Sequence, residues 1–201
     1  MTDMLSIRNL GIGEVRDLSL DIGPGEIACL SGPSGSGKTR ILRAIADLEP
    51  HEGNVLLGDV PSDAMPGHEW RRAVMLVPAE SQWWGETVRE HCGKDRPGDL
   101  KALGMKPEVL DWSVARLSSG EKQRLALYRA LSFTPRAWLL DEPTANLDEA
   151  SKRRVEAWLT RHIRDGALPA IWVAHDPEQI QRVADVHYRL QHGRLIRDQG
   201  H

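Results

Sequence analysis

The chain has 201 residues, a mass of 22.5 kDa and a formal net charge of −3 at pH 7. This length fits one globular domain, and the small acidic excess gives no overall attraction to nucleic acid. The longest uninterrupted apolar runs, Ala73–Val77 and Ala170–Ala174, are too short to span a membrane. The N-terminus lacks the pattern of a signal peptide, and Cys29 and Cys92 have no metal-site spacing. These features predict a protein of the reducing cytosol.

The first third of the chain alternates between strand and helix patterns. Leu5–Leu10 and Leu18–Ile22 predict an opening pair of strands, followed by turn-forming glycine and proline. Ile27–Ser31 predicts a short buried strand. The segment after the glycine-rich stretch, Thr39–Leu48, predicts a helix whose apolar face consists of Ile41, Leu42, Ile45 and Leu48.

Three later apolar runs, Ala73–Val77, Ala137–Leu140 and Ala170–Ala174, predict parallel strands that are covered on both faces. Ser151–Arg164 predicts a helix between the last two of them. Acidic residues alternate with the basic residues of this helix, which favours a solvated face over a polyanion site. Gly85–Arg116 consists of short pieces with Gly and Pro, and predicts a small helical insert. The pattern indicates an α/β fold with a mostly parallel central sheet and an antiparallel N-terminal β subdomain.

The first chemical motif is GPSGSGKT, between a predicted strand and a predicted helix. It matches the phosphate loop G-x-x-x-x-G-K-[ST], the P-loop, in the structural context that this motif requires. We expect backbone N–H groups to surround phosphates, Lys38 to reach the β- and γ-phosphates, and Thr39 to offer its hydroxyl to Mg²⁺. The predicted phosphate-binding residues are Gly32, Pro33, Ser34, Gly35, Ser36, Gly37, Lys38 and Thr39.

Polar residues follow two of the predicted parallel strands at the edge where ligands bind in open α/β sheets. Asp141 can hold Mg²⁺ through its water shell, and Glu142 can orient and deprotonate an attacking water. His175 is placed to contact the γ-phosphate and that water. Taken alone, the acidic pair could cap a helix and the histidine could be an ordinary surface residue. Their combination with a P-loop favours catalysis.

A second anion site is predicted where LSSGE, residues 117–121, precedes a strongly helical segment. Small residues at a helix start expose unpaired backbone N–H groups and the positive end of the helix dipole. In isolation, LSSGE is an adequate helix start and nothing more. Because the P-loop already supplies a phosphate cradle, a second one needs a separate explanation.

The ordered set GPSGSGKT, LSSGE, LLDEPTANLD and AHD resembles the ATP-binding-cassette (ABC) ATPases over nearly the whole chain. The resemblance implies that two copies pack head to tail, so that the LSSGE segment of one closes on the γ-phosphate held by Lys38 of the other. It also implies that Asp148 lies at the dimer seam and links the two sites. The residues implied to contact the partner's nucleotide are Ser118, Ser119, Gly120 and Glu121.

The resemblance further implies one ABC ATPase domain over residues 1–201. Its nucleotide-binding core would comprise residues 1–78 and 132–201. A glutamine loop and a small helical subdomain would occupy about 79–131.

The chain departs from the family pattern in three places. Ser119 stands where Gly is usual, and Glu121 where Gln is common. Family members stack adenine on an aromatic residue before the P-loop, whereas this chain has no Phe, Tyr or Trp before Trp70. The glutamine expected to touch Mg²⁺ and sense the partner is replaced by Ala79, and the nearest glutamine, Gln82, comes three residues later.

The function implied by the resemblance is that of an ATP-hydrolysing subunit of an ABC transporter, with ATP and Mg²⁺ as cofactors. The overall pattern is similar to compact bacterial members, including iron-export ATPase subunits. The expected partners are a second copy and separate membrane-spanning subunits, with no nucleic acid, and the expected location is the cytoplasmic face of the inner membrane.

Two elements of this interpretation stay open. Trp83 and Trp84 either line a groove for a helix of the membrane partner or pack between the core and the insert. The function also has two open alternatives to a transporter subunit: an ABC-type ATPase acting on DNA or ribosomes, and a slow nucleotide-dependent regulatory module. The second of these is suggested by Ala79 and by the missing aromatic.

Overall fold

The computed structural model describes residues 3–198. The strands are β1 (Leu5–Ile12), β2 (Val15–Ile22), β3 (Ile27–Ser31), β4 (Glu52–Leu57), β5 (Val60–Pro61), β6 (Val74–Val77), β7 (Ala137–Asp141), β8 (Ala170–Val173), β9 (Val186–Gln191) and β10 (Arg194–Arg197). The α-helices are α1 (Lys38–Ile45), α2 (Gly67–Ala73), α3 (Pro97–Ala102), α4 (Ser119–Ser132), α5 (Glu149–Asp165) and α6 (Pro177–Val183). Short 3₁₀ helices span Ser62–Ala64, Arg89–His91, Pro107–Asp111 and Val114–Arg116.

The N-terminal strands form an antiparallel sheet with the order β2-β1-β4-β5. Leu5 of β1 pairs with Ile22 on one side and with Leu57 on the other, and all three side chains are buried. The predicted opening strand pair is therefore confirmed, and each strand extends further towards the tight turn at Gly13 than the sequence pattern indicated.

The second sheet has the order β10-β9-β3-β8-β7-β6 and is parallel except for the edge strand β10. The predicted mostly parallel central sheet is confirmed. Every residue of β7 and β8 is buried, because both strands lie inside the sheet with layers on both faces. The carboxyl ends of β3, β7 and β8 meet at one edge, which is where the candidate functional residues follow.

Two apolar cores lie on opposite faces of this sheet, and alternate residues of each strand serve one or the other. Cys29, Trp138 and Trp172 pack with α4, α5 and α6 on one face. On the other face, Leu139 and Ile171 pack with α1 and the N-terminal sheet. Among the described residues, no helix combines the length and apolarity needed to cross a bilayer.

Helix α1 is shorter than its sequence pattern predicted. Ile41, Leu42 and Ile45 are buried as expected, but the helix ends at Ile45 and Leu48 is 43% exposed. The placement of Leu48 on the apolar face was wrong, because the backbone turns at Asp47, where φ is +55° and the helix cannot continue.

The segment between β6 and α4 consists of short helical pieces, as predicted. Asp99 of α3 joins it to the core by accepting hydrogen bonds from Trp158 Nε1 (3.0 Å) and His162 Nε2 (2.6 Å) of α5. The boundaries of a separate subdomain at about 79–131 stay a prediction.

Candidate functional site

The loop between β3 and α1 is shaped by glycines. Gly32 has φ +146°, and a Cβ there would lie 2.5 Å from the carbonyl oxygen of Leu190 on β9, so only glycine fits. Gly35 and Gly37 also have positive φ, at +76° and +104°. These conformations let the loop turn sharply into α1, so that its backbone N–H groups can line an anion-binding concavity.

Lys38 opens α1 and folds back over this loop. Its Nζ donates hydrogen bonds to the carbonyl oxygens of Gly32 and Pro33, both at 2.9 Å. The side chain is buried, and burial lowers the pKa of its ammonium group. The buried hydroxyl of Ser36 has no hydrogen-bond partner among the described residues. A buried ammonium and an unpaired hydroxyl in one loop suit phosphate oxygens, which accept hydrogen bonds from both.

Thr39 and Asp141 meet beside Lys38. The Thr39 hydroxyl donates to Asp141 Oδ2 at 2.9 Å, across the edge between α1 and the end of β7. Burial raises the pKa of the Asp141 carboxyl, and the bond from Thr39 opposes that shift. These two oxygens fit Mg²⁺, which usually takes one or two carboxylates and completes its shell with water and phosphate oxygens. Residues 3–198 contain no cluster of three or more His, Cys, Asp or Glu suited to a metal.

Glu142 and His175 follow β7 and β8, which are neighbours in the sheet. His175 Nε2 lies 3.0 Å from Glu142 Oε1. Glu142 has φ +48°, a conformation that a non-glycine residue rarely adopts and that redirects the chain as β7 ends. Both side chains line the same cavity of about 240 Å³ as Lys38 and Thr39. The structure therefore brings together the sequence-predicted residues of the P-loop and of both strand ends.

A buried polar network supports this corner, and its residues were missed by sequence reasoning. Gln179 of α6 donates to the Thr144 hydroxyl (2.7 Å) and to Glu156 Oε1 (2.9 Å). Arg182 makes two bonds to the Glu156 carboxylate, at 2.9 and 3.0 Å. The network ties the helix that follows His175 to the loop that follows Glu142. Nothing in the spacing of these residues along the chain indicated it.

Ser118 and Glu121 form a capping box at the start of α4. Glu121 Oε2 accepts from the Ser118 backbone N–H (2.9 Å) and hydroxyl (2.8 Å), and these bonds lower the pKa of the Glu121 carboxyl. The helix-start interpretation thus accounts for the observed contacts. Ser118 and Ser119 are exposed, and no residue of the LSSGE segment lines the cavity around Lys38 of the same chain. Gly120 packs close to the carbonyl oxygen of Asn146.

Asp148 caps α5. Its carboxylate accepts from the backbone N–H and the hydroxyl of Ser151, both at 2.9 Å, and these bonds lower its pKa. The residue is exposed. Its expected position at a dimer seam stays a prediction.

The loop after β6 keeps its glutamine away from the phosphate cavity. Neither Ala79 nor Gln82 lines that cavity. The Gln82 side chain is exposed, and its backbone carbonyl oxygen accepts from Arg129 Nη1 at 2.8 Å.

Trp83 and Trp84 have different environments. Trp83 is half-buried against the core, whereas Trp84 is 76% exposed. Trp84 lines a groove of about 360 Å³ between α2, β6 and α4. Trp83 thus packs against the core and Trp84 lines a groove, and the occupant of that groove stays a prediction.

Comparisons with known proteins agree with this arrangement. The profile of the ABC transporter family matches residues 15–145. The sulfate/thiosulfate import ATP-binding protein CysA of Burkholderia mallei is 35% identical over 214 residues, which cover 95% of this chain and 61% of CysA. The probable iron export ATP-binding protein FetA of Escherichia coli K12 is 29% identical over 201 residues, covering 91% of this chain and 89% of FetA.

A solved bacterial Atm1-family ABC exporter with ATP bound superposes with a TM-score of 0.84 at 25% identity, over 96% of this chain and 38% of the exporter chain. The chain thus spans 61% of the length of its CysA relative and 38% of that exporter chain. The sequence motifs, the phosphate loop geometry and these matches lead to one conclusion: the chain belongs to the ABC transporter family.

Proposed function

We propose that this chain binds and hydrolyses ATP and that hydrolysis powers transport through a separate membrane partner. The observation that carries the proposal is the meeting of Lys38, Thr39, Glu142 and His175 in one cavity at the carboxyl edge of the parallel sheet. Asp141 lies beside it, bonded to Thr39. This combination provides phosphate binding, metal ligands and a carboxylate base within reach of each other.

In the proposed mechanism the chain mostly positions the phosphates and the attacking water and neutralises the charge of the phosphates. Lys38 exchanges its two carbonyl partners for β- and γ-phosphate oxygens, while the N–H groups of the glycine loop hold the same phosphates. Thr39 and Asp141 would hold Mg²⁺, which would neutralise charge that develops on the phosphates. Glu142 accepts a proton from the attacking water, and His175 holds the Glu142 carboxylate in place and faces the γ-phosphate.

The active form in this proposal is a head-to-tail dimer. Ser118 and Gly120 at the start of α4 bind the γ-phosphate held by the other copy. Two observations support this arrangement: the N-terminus of α4 is exposed, and it lies outside the cavity of its own chain. Asp148 then lies at the seam between the copies.

The membrane partner docks in the groove lined by Trp84. This docking would hold the chain at the cytoplasmic face of the inner membrane. Pull-down of the tagged protein from solubilised membranes should recover a membrane-spanning chain. ATPase stimulation by DNA or ribosomes, and none by such a membrane chain, would favour the alternative of a soluble ABC-type ATPase.

Glu142→Gln is the decisive variant. It should bind ATP as the wild type does, hydrolyse it hardly at all, and elute as a dimer in gel filtration with Mg-ATP. Lys38→Ala is the contrasting control, since it should lose ATP binding itself. Hydrolysis at the wild-type rate by Glu142→Gln would show that Glu142 is not the base. A protein that stays monomeric at all ATP concentrations would remove the main support for the head-to-tail dimer.

A further inference from the structure

Under the proposed function, the order of the strands indicates on which side a nucleoside would leave the phosphate cavity. The P-loop follows β3, and Glu142 and His175 follow β7 and β8 on one side of it. In the proposed function those two residues face the reacting phosphate, which favours a nucleoside that extends to the other side of β3. There the sheet continues with β9 and β10.

On that side the P-loop packs against the tight turn between β1 and β2. A Cβ at Gly37 would lie 3.6 Å from Cγ2 of Val15, which begins β2. The turn is held by the hairpin between β9 and β10, through a bond from the Arg16 backbone N–H to the Gly193 carbonyl oxygen (3.2 Å). The chain has no Phe, Tyr or Trp before Trp70, and the described lining of the cavity contains none of these three residue types.

Arg40 lies where the P-loop meets the β1–β2 turn. It lies in the first turn of α1, lines the phosphate cavity and places its guanidinium group against Gly13 at the tip of the β1–β2 turn. Its Nε and Nη2 both lie 2.8 Å from Glu49 Oε1. The side chain is 52% exposed. The Glu49 carboxylate therefore binds one edge of the guanidinium group and fixes the orientation of its plane.

We propose that Arg40 is the nucleobase platform of this protein, with its guanidinium plane stacked on the base of the bound nucleotide. This inference rests on the proposed ATP binding and adds a specificity-determining residue to it. A guanidinium plane stacks well on aromatic faces, and every nucleobase presents such a face. Because stacking reads no hydrogen-bond pattern, the site accepts adenine and guanine with little preference.

Calorimetric binding of Mg-ATP, Mg-GTP and inorganic tripolyphosphate tests the proposal. Arg40→Ala should weaken ATP and GTP about tenfold, in the range of one stacking contact, and leave tripolyphosphate within about twofold. Arg40→Lys keeps the charge but loses the plane, and should bind like Arg40→Ala. Wild-type affinities for ATP and GTP should agree within about fivefold.

Arg43→Ala is the matched control. Arg43 is on the same helix and also pairs with Glu49, at 3.5 Å, but it does not line the cavity. Its removal should change none of the three affinities, which separates a base contact from loss of an exposed ion pair.

Three results would overturn the proposal: unchanged ATP affinity in Arg40→Ala, equal weakening of ATP and tripolyphosphate, or wild-type binding by Arg40→Lys. The second would assign Arg40 to the phosphates, and the third to charge alone. Failure of the proposed ATP binding is a different outcome, because the wild-type protein would then bind none of the nucleotides.

Discussion

His175 and Glu142 lie 33 positions apart in the chain, yet His175 Nε2 is 3.0 Å from Glu142 Oε1. The contact exists because β7 and β8 are adjacent and parallel, so both residues leave the sheet at the same edge. We expect His175→Ala to free the Glu142 carboxylate and to lower kcat about 100-fold, within the usual range for a positioned acid–base partner. ATP affinity should change by less than about threefold, because the phosphate loop is untouched.

Steady-state ATPase assays and calorimetry measure the two quantities separately. His51→Ala is a suitable control, since His51 lies before β4, outside the cavity. Wild-type turnover in His175→Ala would show that Glu142 is held without the imidazole.

The shared-site arrangement can be tested by mixing two inactive variants. In the proposed head-to-tail dimer, Ser118→Arg should block the site of the partner, and Lys38→Ala should disable the chain's own phosphate cradle. A mixed dimer keeps one intact composite site, so an equal mixture should recover about a quarter of wild-type ATPase activity if pairing is random. Mixing Ser118→Arg with the double variant should recover nothing. Absence of recovery in the first mixture at every ratio would argue against sharing.

At neutral pH, the ionised Asp141 carboxylate should lower the free energy of unfolding of the nucleotide-free protein. Burial raises the pKa of its carboxyl above the ordinary 3.8, so folding favours the protonated acid and the ionised form costs stability. Asp141→Asn cannot ionise and can still accept the Thr39 hydroxyl bond. Its Tm at pH 7 should exceed that of the wild type by roughly 2–4 °C.

The sign of this effect is checked by lowering the pH. As pH falls through the raised pKa, Asp141 becomes protonated and the advantage of Asp141→Asn should narrow. Asp59→Asn, at an exposed aspartate, serves as the control. A lower Tm for Asp141→Asn at pH 7 would contradict the prediction, and in the presence of Mg-ATP the variant should gain less stability than the wild type.

Gln82 should matter little for basal hydrolysis. Its side chain is exposed and its backbone oxygen is bound to Arg129, so it is held away from the phosphate cavity. Ala79, at the position of the usual glutamine, offers no side-chain oxygen, so if Mg²⁺ binds we expect water to be its ligand there, with Glu80 as the second choice. We expect Gln82→Ala to change basal ATPase by less than about threefold, or under roughly 1 kcal/mol in barrier.

A loss of 100-fold or more in Gln82→Ala, with ATP binding intact, would mean that the loop shifts register and that Gln82 is the sensor. Glu142→Gln provides the reference for a nearly complete loss in the same assay.

Local pattern was sufficient to predict four strands of the parallel sheet, β3, β6, β7 and β8, because buried strands require continuous apolar runs such as Ala137–Leu140. The P-loop was equally predictable, since GPSGSGKT carries its own backbone geometry. The hairpin of β9 and β10 and the strand β4 were missed, although the His-Gly pair at 192–193 between alternating residues was a usable turn signal. These strands matter because the hairpin supports the turn against which Arg40 lies.

Side-chain contacts between elements distant in sequence could not be predicted from the local sequence pattern. The bonds from Gln179 to Thr144 and Glu156 depend on how α6 packs on α5, and no local spacing encodes that packing. The end of α1 at Ile45 had a similar cause. Its apolar spacing continues to Leu48, but the left-handed backbone at Asp47 overrides it.

Strand β3, which leads into the P-loop, has consequences for how the chain is made. Its hydrogen-bonding neighbours are β8 and β9, so Ile27 pairs with Ala170, and Ala28 with Val186. During synthesis, the antiparallel sheet through β5 can form from contacts close in sequence, but β3 has no strand partner until most of the chain has emerged. The apolar strand β3 therefore stays unpaired through most of translation. Truncation before β8 should leave a nascent chain that aggregates and has no nucleotide cradle, however intact its P-loop sequence.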